Sequence, residues 1–255
     1  MKKILINEIK QKLRELRLKD MAEALEAVLQ KAQTEEYGHL QFLADLADAQ
    51  IQATRSRSLD RRISNANFPL KMSFDNFDWN FQPGLNVENV KNLKSLTFTD
   101  PPHPVLILGK TGTGKTHIAT ALGIEACKNG MRVQLFRFQK LLTLLYATLA
   151  DDTTDEMISR LSRLDVLIVD HIGHIRTRPE YPSLFFDLIC ACQDRTAIIV
   201  TSGISLEEWH IALGNPTIAG DIIDRLFHRA DVINIRQGRS YRSEGPHAPR
   251  LNDNE

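Results

Sequence analysis

The chain has 255 residues, 42% of them hydrophobic and 25% charged, which is enough apolar material for a real core and excludes a disordered or fibrous protein. Lys and Arg total 32 and Asp and Glu total 32, so attraction to an anionic partner has to come from uneven placement of charge. Cys127, Cys190 and Cys192 form no C-x-x-C pair, charge interrupts the first residues too soon for a signal peptide, and no apolar run reaches the length of a membrane span. These features exclude a disulfide framework and a zinc site of usual spacing, and predict a soluble protein of the reducing cytoplasm.

At the start, Ile6, Ile9, Leu13 and Leu16, then Met21, Leu25, Val28 and Leu29, recur at helical spacing, which predicts one or two amphipathic helices. Tyr37-Gly38 interrupts the pattern, and Leu40, Leu43, Leu46, Ala47 and Ile51 resume it on a helix running toward Arg62 and Ile63. Residues 1–66 therefore read as a small all-helical domain. Between Ile51 and Met72 stand Arg55, Arg57, Arg61, Arg62 and Lys71 against Asp60 alone. At about 100° per residue, Arg55 and Arg62 share one face and Arg57 and Arg61 another. Such a helix suits a nucleic-acid backbone, the alternative being a solvated basic face or one docked on an acidic neighbour.

From Asn65 to Gly84 the composition turns to Asn, Pro and aromatics, an irregular connection in which the domain boundary falls; residues 67–104 are assigned to it. Its Phe74, Phe77, Trp79 and Phe81 could stack a base or fill a core. After Pro101-Pro102-His103-Pro104, β-branched runs alternate with helical stretches. That texture predicts an α/β domain, residues 105–244, with a five-stranded parallel sheet and helical crossovers. The expected strands are Val105 to Leu108, Arg132 to Phe136, Val166 to Asp170, Ala197 to Thr201 and Val232 to Ile235. Cys190 and Cys192 fall on a helix facing that sheet and are expected as buried thiols. The histidines have no ligand spacing, and residues 245–255 read as a flexible tail.

Gly109-Lys110-Thr111-Gly112-Thr113-Gly114-Lys115-Thr116 fits G-x-x-x-x-G-K-[ST] and lies between an expected strand and an expected helical run from Ile118 to Lys128, with His117 counted among the expected nucleotide-binding residues. Glycines let such a loop fold so that backbone N–H groups and a helix N-terminus face phosphate oxygens. Lys115 would then meet the β- and γ-phosphates of ATP and Thr116 would hold Mg2+. Asp170 closes an apolar run, which places a carboxylate at the C-terminal edge of a parallel strand, where such sheets bind ligands; it fits the second metal-holding position or, failing that, a helix cap. Many ATPases of this design place Glu after that Asp to orient water. Here the residue is His171, from which slow hydrolysis is expected.

The sum of these parts resembles the AAA+ helper ATPases of insertion sequences, the IstB-like transposition proteins, which are similar to the helicase loader DnaC. The resemblance covers nearly the whole chain. It rests on Leu18 to Leu25, the helix carrying Arg55 to Arg62, the phosphate loop, Asp170, Thr201-Ser202 with Glu208-Trp209, Asp224 to Ala230, and Ser240-Tyr241-Arg242. It implies an AAA+ P-loop fold and an ATP-dependent homo-oligomer on double-stranded DNA that assists a transposase. In that assembly Arg225 would be an arginine finger toward a neighbour's γ-phosphate and Arg242 a sensor arginine in its own subunit. The segment Phe74 to Gly84 would lie at the adenine. Lys140, after the second strand, and Arg176 and Arg178, after the third, lie where initiator-type relatives line a DNA channel. Relatives often carry Asn after Thr-Ser, whereas this chain has Gly203, a second reason to expect slow turnover. The rival readings are a helicase loader and a nucleotide-independent DNA binder with a vestigial ATPase core; intact Lys115, Thr116 and Asp170 oppose the latter.

Overall fold

The computed structural model describes residues 2–70, 72–82, 84–173, 178–235 and 237–245. Lys71, Arg176 and nearly all of the expected tail therefore lie outside the described residues. The chain divides into two compact units, residues 1–61 and 62–255.

In the first unit, α1 (Lys2–Glu15) and α2 (Lys19–Thr34) pack against each other, and α3 (His39–Asn65) continues from this unit into the second. The expected pair of amphipathic helices is thus two, separated by Arg17 at φ 63°. Ala22, Leu25 and Leu46 form the small buried centre. Polar bonds supplement it. Gln50 accepts from the Asp20 backbone N–H at 3.1 Å and donates to its carboxylate at 2.7 Å. Arg57 clamps the same carboxylate at 2.5 and 2.6 Å, which holds Asp20 below its ordinary range.

The second unit is built on β1 (Val105–Gly109), β2 (Val133–Arg137), β3 (Val166–Ile172), β4 (Ala197–Ser202) and β5 (Asp231–Ile235), in the order β2-β3-β4-β1-β5. Every pairing is parallel. All five expected strands are present: the apolar runs of β1, β3 and β4 are buried on both faces, while those of β2 and β5, at the sheet edges, alternate buried with half-buried or exposed residues. Leu106, Leu167, Val169, Ile198 and Val200 share one core with Phe138 and Leu142 of α6 (Phe138–Ala147), Ile158 and Leu161 of α7 (Thr154–Leu161), Phe185 and Leu188 of α8 (Tyr181–Cys192), Trp209 of α9 (Trp209–Leu213), and Ile222 and Leu226 of α10 (Pro216–Phe227). Phe138 and Phe185 meet edge to face at 5.0 Å. The alternate strand residues face α5 (Lys115–Lys128), whose Ile118, Ala119 and Leu122 are fully buried.

Three details depart from the sequence reading. Asp170 does not end its strand: β3 runs on to Ile172 through a bulge, with the register against β4 shifting between Val169 and Ile172. The connection expected over residues 67–104 contains a 3-10 turn, Phe74–Asn76, and a helix, α4 (Val87–Lys94). The Asn86 side chain caps that helix by accepting from Asn89 N–H at 3.1 Å, and Val90 and Leu93 are its buried face. Of Cys190 and Cys192, both free thiols, only Cys192 is fully buried, and burial pushes its thiol up to about 12; Cys190 is half-buried.

Candidate functional site: a phosphate loop beneath an aromatic cleft

The loop from β1 to α5 leaves the sheet beside its central strands and returns as a helix whose first turn is aimed back at it. Gly112 and Gly114 take φ values of 83° and 93°, the left-handed region that residues with a Cβ rarely adopt. Space is short for a side chain as well: a Cβ on Gly112 would lie 2.3 Å from Ser240 Oγ, so that residue would have to move, and one on Gly114 would crowd the Phe77 ring at 3.0 Å. The loop carbonyl of Lys110 accepts from Thr113 Oγ1 at 2.9 Å and from Lys115 Nζ at 2.7 Å. Lys115 is buried, and burial lowers its pKa to about 8, with Arg242 adding repulsion and Asp170 opposing both. A buried ammonium whose hydrogen bond goes to one neutral carbonyl is a cation short of anionic partners.

Thr116 Oγ1 donates to Asp170 Oδ1 at 2.9 Å, so the two residues singled out as metal-holding meet although 54 positions apart. Asp170 is buried, and Thr201 Oγ1 donates to the same carboxylate oxygen at 2.8 Å. Among the described residues there is no cluster of three or more His, Cys, Asp or Glu. A hydroxyl and a carboxylate are hard oxygen donors, the set that suits Mg2+, which keeps several waters and takes its remaining ligands from phosphate. The residues present fit that ion.

Above the loop lies a cavity of about 530 Å³, lined on one side by Thr111 to His117 and His171 and on the other by Asn76, Phe77, Asp78, Phe81, Gln82, Tyr241 and Arg242. Of the expected adenine-side segment, Phe77 and Phe81 line the cavity. Phe74 is buried and stacks on the half-buried Trp79 at 5.8 Å, and neither lines this cavity. His117 Nε2 lies 2.8 Å from the Ser73 carbonyl, which makes it the protonated nitrogen, and burial lowers the ring's pKa. Its ring meets Phe77 edge-on at 5.0 Å. Gln82, absent from the sequence reading, binds the Arg239 backbone at both amide atoms, accepting at 2.9 Å and donating at 2.6 Å. Tyr241 N–H donates to Gly112 O at 2.9 Å, and its ring meets Phe81 edge-on at 4.8 Å. The segment after β5 is thereby strapped to the phosphate loop, which brings Arg242 into the cavity.

Arg225 lies elsewhere. It stands in the last turn of α10 with its guanidinium 4.7 Å from the Phe186 ring centroid, and lines a separate cavity with His103, Ile198 and Arg229. Its Nε is buried without a partner among the described residues. In the expected nucleic-acid set, Arg57 is engaged by Asp20, and Arg62 Nε donates to the Cys127 carbonyl at 2.9 Å. Arg55, Arg61 and Lys140 are exposed, and Arg178 sits over the Tyr146 ring at 4.4 Å.

The family model described as IstB-like ATP binding protein matches residues 11–247. The chain belongs to that family. Among IstB-like relatives, a protein of Pseudomonas aeruginosa named as an ATP-binding protein of insertion sequence IS21 is 31% identical over 237 residues, covering 93% of this chain and 89% of its own length. A counterpart from insertion sequence IS232 of Bacillus thuringiensis subsp. berliner is 30% identical over 227 residues, covering 89% of this chain and 90% of its own length. The crystal structure of DnaI superposes with a TM-score of 0.55 at 18% identity, covering 65% of this chain and 91% of that one. The replication initiator DnaA bound to AMPPCP and single-stranded DNA gives 0.55 at 22%, covering 69% of this chain and 53% of that one. These two likenesses establish the AAA+ type of fold for the IstB-like chain, whose described residues include no helix long and apolar enough to cross a membrane.

Proposed function

We propose that this protein is an ATP-dependent, DNA-binding helper of transposition in the cytoplasm, which binds ATP with Mg2+, assembles with copies of itself on double-stranded DNA and assists a transposase. One observation carries the nucleotide reading: a loop of the sequence G-x-x-x-x-G-K-T ends in a buried ammonium, and its threonine bonds to the carboxylate that β3, two strands across from β1, delivers. Gly109, Gly112 and Gly114, with Thr111 and Thr113, shape the cradle for the phosphates. Lys115 meets the β- and γ-phosphates, and His117 holds the Ser73 carbonyl and with it the aromatic side of the cleft. Thr116 and Asp170 hold Mg2+, which when bound draws charge from the phosphate oxygens and so eases transfer of the γ-phosphoryl group. Arg242 adds a donor from the cavity's far side. Arg225 serves a neighbouring copy, a reading supported by its place in a cavity separate from that of its own phosphate loop and by an Nε buried without a partner among the described residues.

The relatives named for insertion sequences support the transposition reading. DNA contact falls on Arg55 and Arg61, which form no ion pair with another described residue, supported by Lys140, Arg176 and Arg178. Arginines of this kind meet phosphates rather than bases, so DNA shape rather than sequence should govern where the protein sits. The test is size-exclusion of the protein with DNA, with and without ATP, repeated for Lys115→Ala. The wild type should elute as a large DNA complex only with ATP, and the variant should neither bind ATP nor assemble; a variant that does both as the wild type does would refute the assignment.

A further inference from the structure

We propose that Thr201 is a positioning residue of the nucleotide site, holding with one hydroxyl both the metal-binding carboxylate and the backbone turn that aims His171. Thr201 is fully buried at the C-terminal end of β4, one strand across from Asp170. Its Oγ1 lies 2.8 Å from Asp170 Oδ1 and 2.8 Å from the His171 backbone nitrogen. The directions are fixed by chemistry. An ionised carboxylate only accepts and a backbone N–H only donates, so the hydroxyl gives its one proton to Asp170 and takes the amide's.

Both bonds answer a need created by the bulge in β3. His171 has φ 68° and sits inside the register break between Val169 and Ile172. Its side chain is exposed and lines the nucleotide cavity. The Thr201 hydroxyl supplies the acceptor for the His171 amide where the β3–β4 register breaks, and so stabilises a backbone conformation that residues other than glycine rarely adopt. The same hydroxyl fixes the rotation of the Asp170 carboxylate, leaving Oδ1 shared between Thr116 and Thr201. The oxygen atoms that meet Mg2+ are thus aligned from β4, two residues before Gly203, where this chain lacks a side chain.

This inference rests on the Mg2+–nucleotide reading, and two measurements separate the failure of one from the failure of the other. A fluorescent ATP analogue is titrated into the full chain across a range of Mg2+ concentrations and in EDTA. Thr201→Val keeps the side chain's shape while removing the hydroxyl. It should raise the half-saturating Mg2+ concentration about tenfold, the size of one lost hydrogen bond to a charged group, with affinity in EDTA unchanged. Thr201→Ser should restore the wild-type value, and in an Asp170→Asn background Thr201→Val should add nothing. Hydrogen exchange at the His171 amide, read without nucleotide, should be slow in the wild type and the serine variant and fast in the valine variant. Thr201→Ala is read in the same two ways in case the valine variant fails to fold. An unchanged Mg2+ requirement together with unchanged His171 exchange would overturn the inference, as would a serine variant as impaired as the valine one. A wild type that binds no nucleotide, yet shows the exchange effect, would sink the nucleotide reading and leave the positioning role standing.

Discussion

His171 shows how much a single residue decides. Backbone geometry places it in a bulge at the cavity wall, one residue after the carboxylate that faces Thr116. Imidazole there can accept a proton, but it brings no fixed negative charge to orient an attacking water. His171→Glu should therefore raise ATP turnover by about tenfold or more while leaving ATP affinity nearly unchanged, because Lys115, Thr116 and Asp170 are untouched. Gly203 offers no side chain to read the γ-phosphate, so His171→Glu paired with Gly203→Asn covers the case in which the carboxylate alone is insufficient. Phosphate release per subunit with DNA present decides it: a wild type as fast as the double variant would mean that His171 is already a competent base.

Between elements, the site depends on contacts that carry no motif. Gln82 holds the Arg239 backbone by two hydrogen bonds across 157 residues of sequence and, beside the direct bond from Tyr241 N–H to Gly112 O, helps to hold the segment carrying Arg242 at the phosphate loop. Gln82→Leu keeps the bulk but leaves an N–H and a C=O of Arg239 without partners, a local cost of about 1–3 kcal/mol. ATP affinity should fall several-fold and the melting temperature by a few degrees, since about 2–4 °C accompanies each kcal/mol in a protein of this size. Equal nucleotide titrations for variant and wild type would show that Arg242 is held by something else. This strap also marks where reading the sequence stops. The phosphate loop was legible because its spacing is dictated by its ligand, and the central strands because residues such as Val166 to Val169 are buried on both faces. Gln82 had no such signature, since one polar side chain in an irregular segment looks the same whether it is solvated or clamps two chain segments. Helix α4 was missed for a related reason: Val87, Val90 and Leu93 give too short an apolar stripe to stand out within a stretch rich in Asn and Pro. The bulge in β3 was invisible because the bond that stabilises it comes from Thr201, thirty residues away.

At the scale of the whole molecule, the arginine proposed to serve a neighbouring copy lines a different cavity from the phosphate loop. The phosphate loop and Arg242 line one cavity, with Asp170 bonded to Thr116 beside it, while Arg225 lies over Phe186 beside another with a buried Nε that has no partner among the described residues. A buried donor without a partner costs about 1–3 kcal/mol, a penalty that a phosphate supplied by a second copy would relieve. If Arg225 completes a neighbour's site, two differently disabled copies should repair each other. Arg225→Ala retains an intact phosphate loop but offers no finger, and Asp170→Asn offers a finger but holds Mg2+ poorly. Each variant alone should hydrolyse ATP at a small fraction of the wild-type rate. Mixed in equal amounts with DNA and ATP, about a quarter of head-to-tail interfaces would pair a sound loop with a sound arginine, and turnover should rise toward that fraction of wild type. Phosphate release measured across a series of mixing ratios should then pass through a maximum near equal amounts. A straight line between the two inactive variants would mean that Arg225 works within its own chain, or that the copies do not share sites at all.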